Sequence, residues 1–135
     1  MRIFASILAV LFVTNLNAQN DLKDKKFPQT IGEYISFFDL NEVQVEDLIK
    51  LFETNNQQIE EINSLKSEDI ETYIEKRNAI NKGFTKSIQL ILNKSQIEAF
   101  AIYVDMKRLQ NQKIRTELTK AGKSEQEIKL AVAEN

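Results

Sequence analysis

The sequence predicts an all-α protein with a long helical hairpin, a further long helix, and short helices at both ends. Apolar residues recur at spacings of three and four over long stretches, which is typical of amphipathic helices. Residue types that cap helix starts precede these stretches. The chain has 135 residues, enough for one domain, and only one proline and three glycines to interrupt its helices.

The first eighteen residues have the order of a secretory signal peptide. Arg2 precedes an uncharged run over residues 3–13 that is apolar except for Ser6, and Ala18 offers a small residue for cleavage. A helix that crosses a bilayer needs about 20 residues, so this run favours a cleaved segment over the alternative, an uncleaved anchor. We expect a periplasmic or secreted protein that is cleaved near Ala18 and has no stable membrane insertion afterwards.

The remaining chain is expected to form a flexible leader over residues 19–29 and one helical domain over residues 30–135. Thr30 and Glu33 have the residue types of a capping box, as do Ser124 and Glu127. The sequence segment at residues 66–69 offers a turn and a new cap. Helices are predicted over residues 31–38, 42–64, 70–91, 94–120 and 125–133.

A short motif, Leu-Asn-x-x-Gln, occurs twice and opens the second and fourth predicted helices. In each copy Asn has the position of the N-cap, and Gln, three residues later, can reach back to the N–H of the cap. Each such start contributes about 1 kcal/mol to stability. We predict a structural, helix-capping role for Leu40, Asn41, Gln44, Leu92, Asn93 and Gln96.

The two copies resemble the LTxxQ motif of the Spy/CpxP-like periplasmic proteins, with Asn41 and Asn93 where the family usually has threonine. The resemblance extends over about residues 38–120. It implies a thin, curved homodimeric cradle and the function of an ATP-independent chaperone-like or envelope-stress protein. The expected partners are unfolded or envelope client proteins. Some relatives bind metal through histidine, which this chain lacks, so we do not transfer metal binding.

The fourth predicted helix is apolar on more than one side, so more than one side requires a covering partner. The expected core stripe is Ile97, Phe100, Ala101 and Val104. Ile102, Met106 and Leu109 form a second stripe. The sequence leaves open three ways to cover it: dimerisation, a bound client, or the terminal helices. The candidate partner surface is therefore Ile102, Tyr103, Met106 and Leu109, helped by Arg108. Met106→Glu combined with Leu109→Glu is predicted to disrupt this partner surface and to leave most of the helicity intact.

Composition argues against catalysis and against nucleic acid as a partner. The chain has no histidine and no cysteine, which removes the commonest general base and the usual zinc and copper ligands. We predict no catalytic, metal-binding or cofactor-binding residues. The net charge is −2, and removal of Arg2 with the signal peptide makes the remainder more acidic by one charge, which disfavours nucleic acid.

Charge is unevenly distributed along the chain. Residues 42–75 carry ten acidic and two basic side chains, whereas residues 107–123 carry six basic and one acidic side chain. Such opposite charges either bias the pairing of helices, within a chain or across a dimer, or lie on solvated faces. Two other functions stay open: a non-catalytic secreted interaction subunit that binds one specific envelope partner, and a purely structural dimer.

Overall fold

The computed structural model describes residues 25–135, and this part of the chain is helical without any strand, as predicted. Its α-helices are α1 (Ile31–Phe38), α2 (Glu42–Glu61), α3 (Leu65–Glu68), α4 (Ile70–Ile91), α5 (Ile97–Lys120) and α6 (Glu125–Glu134). The predicted signal peptide, residues 1–18, and the beginning of the predicted leader lie outside the described residues. None of the helices described is long and apolar enough to cross a membrane.

Side-chain caps define the helix starts. Thr30, Asn41 and Ser124 each accept a hydrogen bond from the N–H three residues ahead, and a glutamate or glutamine at that position completes each capping box. Asp69 accepts from the N–H of Thr72 at 3.1 Å and caps α4. These bonds span only three residues, which explains why the starts of α1, α2, α4 and α6 follow from the sequence.

Two element boundaries differ from the prediction. α2 ends at Glu61, before the expected residue 64, and the one-turn helix α3 follows it. The second motif opens a 3-10 turn, Lys94–Gln96, and α5 begins only at Ile97. The reason is that the N–H of Gln96 bonds to the carbonyl of Asn93, three residues back, at 3.1 Å.

The long hairpin consists of α2 and α4, which are antiparallel neighbours. α1 contacts α2 and α5, while α6 packs against both α4 and α5. Two groups of buried side chains hold these helices together. The aromatic cluster, at α1, contains Tyr34, Phe37, Phe38, Leu48, Ile88 and Tyr103. The terminal cluster, where α6 meets the hairpin, contains Ile62, Tyr73, Ile74 and Ala133.

The last residues of the predicted leader are ordered on this core. The ring of Phe27 stacks on Tyr103 with 5.0 Å between the centroids, and Pro28 is fully buried. Lys25 Nζ donates to the carbonyl of Phe37 at 2.7 Å. For residues 25–29 the structure therefore differs from the flexible leader predicted, because burial of an aromatic ring and a proline offsets the entropy cost of ordering them.

Candidate functional site

The two motif glutamines first act locally, each at the start of its own helix. The N–H of Asn41 donates to Gln44 Oε1 at 3.0 Å, and the N–H of Asn93 donates to Gln96 Oε1 at 2.9 Å. These are the bonds that the sequence predicts for a capping box. Both glutamine side chains are nevertheless only 7% exposed, which a surface cap does not require.

The burial arises because the two glutamine side chains pair with each other. Gln44 Nε2 donates to Gln96 Oε1 at 2.7 Å, and Gln96 Nε2 donates to Gln44 Oε1 at 3.1 Å. Each amide also reaches the carbonyl end of the helix that precedes the other motif. Gln44 Nε2 donates to the carbonyl of Ile91 at 3.0 Å, and Gln96 Nε2 to those of Phe38 at 2.9 Å and Asp39 at 3.1 Å.

This glutamine pair has the symmetry of the repeated motif. Ile91 and Asp39 each directly precede the leucine of their motif copy, so both glutamines bind equivalent carbonyls of the opposite copy. All the amide hydrogens and oxygens of Gln44 and Gln96 have partners, as a buried polar group requires. The pair therefore joins the ends of α1 and α4 to the starts of α2 and α5. Capping alone did not predict this contact.

The predicted partner surface on α5 is not a continuous surface, and its assignment of Tyr103 is wrong. Tyr103 is 2% exposed and belongs to the aromatic cluster. Its hydroxyl lies 3.1 Å from the hydroxyl of Tyr34, within hydrogen-bond distance. Because α1 and Phe27 cover this side of α5, no partner can reach the ring of Tyr103.

The other members of that predicted surface divide between core and solvent. Ile102 and Met106 are partly buried against the aromatic cluster. Arg108 is exposed and pairs with Asp105 at 2.8 Å, and Leu109 is 50% exposed. The N-terminal elements of the chain therefore cover most of the second stripe of α5. Coverage by a terminal helix was one of the three alternatives for this stripe.

The stripe of α5 that the sequence assigned to the core is largely open instead. Ile97 is 59% and Val104 is 41% exposed, and Ala101 is exposed as well. Phe100 is half-buried at the edge of the aromatic cluster. The expectation that these four residues form the main core stripe is wrong, because helical spacing identifies two apolar sides of α5 but not which one α1 covers.

The open side of α5 forms one wall of a groove against α4. The groove has a volume of about 850 Å³, and Phe100 and Val104 provide its apolar surface. Five cationic side chains line it, and no acidic side chain of residues 25–135 does. The cations are Lys82, Lys86, Lys107, Arg108 and Arg115. A segment that carries both apolar and acidic side chains matches this lining.

The side chains that line the groove suit binding. No group of three or more potential metal-ligating side chains occurs within the described part of the chain. The groove presents lysines, arginines, amides and one hydroxyl around an apolar surface. Of the predicted partner residues, only Arg108 lines this groove.

Comparisons of the chain with models of known protein families, with curated proteins and with solved structures find no significant match. The resemblance to the Spy/CpxP-like proteins therefore stays a prediction from the two Leu-Asn-x-x-Gln motifs.

Proposed function

We propose that this chain is an ATP-independent, chaperone-like protein of the periplasm that binds exposed segments of client proteins in the groove between α4 and α5. The observation that carries the proposal is the combination of five cations with an apolar surface in one open groove. The signal-peptide-like start of the chain supports the compartment, and the two Leu-Asn-x-x-Gln motifs support the class of protein.

Binding in this groove needs no nucleotide, because all its driving forces are passive. Cationic side chains attract acidic client segments and accelerate their encounter. Burial of client side chains on Phe100 and Val104 then contributes roughly 25 cal/mol per Å² of apolar area, offset by the entropy cost of association. We therefore expect modest affinity, fast exchange of clients, and weaker binding as the salt concentration rises.

The first test is suppression of aggregation without ATP. The chain from Gln19 onward is mixed at near-stoichiometric ratios with two unrelated aggregating proteins, one acidic and one basic, and light scattering is recorded. We expect both to be protected, the acidic one at a lower concentration of this chain. Protection of neither by a folded helical sample would contradict the proposal and favour a subunit dedicated to one envelope partner.

A matched pair of variants tests whether the groove is responsible. Val104→Glu introduces an acidic group on the groove surface, whereas Val43→Glu changes the same residue type at a 69% exposed position on α2. We expect Val104→Glu to protect several-fold less well than the unchanged chain, and Val43→Glu to protect as well as it does. Equal protection by both variants would remove the groove from the proposal.

The predicted homodimer is part of the same proposal. The acidic side chains of residues 42–75 could pair with the cations of the groove in a second copy, which would compete with client binding. Sedimentation at low and high salt distinguishes the cases. A dimer that dissociates at high salt without any change in client protection would assign the groove to dimerisation instead of to clients.

A further inference from the structure

A second cavity adjoins the groove and is lined by the N-terminal segment, α1, α2, α4, α5 and the end of α6. It has a volume of about 370 Å³. Since a water molecule occupies about 30 Å³ in the liquid, the cavity has room for an ion of several atoms together with water. Its polar lining includes Asn55, Arg77, Asn81, Thr85, Lys107, Gln110 and Glu134.

Arg77, on α4, is the least satisfied side chain in this cavity. Its Nε and Nη1 atoms are buried and have no hydrogen-bond partner among residues 25–135. The Oδ1 atom of Asn55, on α2, is also buried and has no hydrogen-bond partner among residues 25–135. A buried guanidinium with unused N–H groups is costly unless an anion or water satisfies it.

Lys107 brings a second positive charge from α5 to the same cavity. Its Nζ lies 5.4 Å from the centroid of the Phe27 ring and donates to the backbone oxygen of Asn135. Burial, followed by the nearby charge of Arg77, lowers the pKa of Lys107, as expected when two cations share a poorly solvated space.

The one carboxylate side chain in the lining is already engaged elsewhere. Glu134 Oε1 lies 2.6 Å from Lys66 Nζ and accepts from the hydroxyl of Tyr73 at 3.0 Å. It therefore compensates Lys66 before it compensates Arg77 or Lys107. The side chains that line the cavity thus include two cations, Arg77 and Lys107, with amide and hydroxyl groups around them.

We propose that this cavity binds a small multivalent oxyanion of the phosphate or dicarboxylate class, held between Arg77 and Lys107. The guanidinium of Arg77 and the ammonium group of Lys107 line the same space from α4 and α5, and charged donors of this kind form strong hydrogen bonds with anionic oxygens. The hydroxyl of Thr85 and the amide of Gln110 line the same space. The cavity shares Lys107 and Thr85 with the groove of the proposed function, whereas Arg77 lines the cavity and not the groove.

The test is calorimetric titration of the purified protein with inorganic phosphate and, separately, with succinate, at constant ionic strength. Arg77→Gln removes the cation that lines only the cavity, and Arg108→Gln is the control because Arg108 lines only the groove. We expect one anion per chain, an affinity about tenfold lower in Arg77→Gln because charge-assisted bonds are lost, and no change in Arg108→Gln. The tighter of the two anions identifies the ligand class.

Three results would overturn the proposal: no saturable binding of either anion, weakening by Arg108→Gln alone, or equal weakening by both substitutions. The last two would place the anion in the groove. If Arg77→Gln loses its helical circular dichroism, Arg77→Lys replaces it, since it keeps the charge but lacks the planar guanidinium. That variant is expected to bind the anion several-fold more weakly, and unchanged binding by a folded Arg77→Lys would also contradict the site.

Discussion

Replacement of Gln96 by alanine is expected to cost far more stability than a lost helix cap. The side chain accepts hydrogen bonds from Asn93 and Gln44 and donates to Gln44 and to the carbonyls of Phe38 and Asp39. Each bond contributes about 0.5–1.5 kcal/mol net, and the buried groups left without partners add to the loss. We expect Gln96→Ala to lower the free energy of unfolding by about 3–5 kcal/mol.

Asn93→Ala, in contrast, should cost about 1 kcal/mol, because it removes an exposed cap and leaves the glutamine pair in place. Urea unfolding, followed by far-ultraviolet circular dichroism, measures both losses. Gln58→Ala is the control, since Gln58 is an exposed glutamine on α2, and it should change stability by less than about 0.5 kcal/mol.

A double-mutant cycle tests the pairing of the two motifs directly. Gln44→Ala combined with Gln96→Ala should cost about 1–3 kcal/mol less than the sum of the single losses, since both substitutions remove the same bonds. All four proteins are measured in the same sucrose concentration, which stabilises the weaker variants. Strict additivity, or a loss in Gln96→Ala no larger than that in Asn93→Ala, would refute the contact between the motifs.

Three further predictions follow from other parts of the structure. Gly122→Ala should lower the free energy of unfolding by about 1 kcal/mol, because φ is +74° at Gly122 and alanine is strained there. Gly83→Ala, within α4, should raise it by up to about 1 kcal/mol, since a Cβ added at Gly83 meets nothing within 4 Å. Thermal unfolding compares the two variants. Met106→Glu should lower both the helicity and the cooperativity of the unfolding transition, because Met106 packs on the aromatic cluster. Unchanged circular dichroism would contradict this placement. Burial raises the pKa of both Tyr34 and Tyr103 above the usual 10.0, so the folded chain retains phenol protons that the unfolded chain releases. Their contribution to stability is complete below about pH 10 and falls as the pH rises; tyrosinate absorbance should therefore appear together with the loss of helicity, and earlier titration of all tyrosines would show that they are accessible.

The sequence alone determined the helical class and most helix starts. Thr30, Asn41 and Ser124 cap the helices that their residue types predict, because a cap forms bonds within one turn. Gly122, just past the end of α5, has the left-handed conformation that glycine commonly adopts after a helix. These features depend on neighbours in the chain, so residue types and spacing are sufficient to identify them.

Tertiary structure alone decided how the helix faces are used. Two apolar sides of α5 were visible in the sequence, but the hydroxyl contact between Tyr34 and Tyr103 places one side inside and leaves Val104 in an open groove. The pairing of Gln44 with Gln96 joins residues 52 positions apart. Periodicity describes each helix about its own axis, whereas these contacts depend on how separate helices are oriented against one another, which follows only from packing the whole chain.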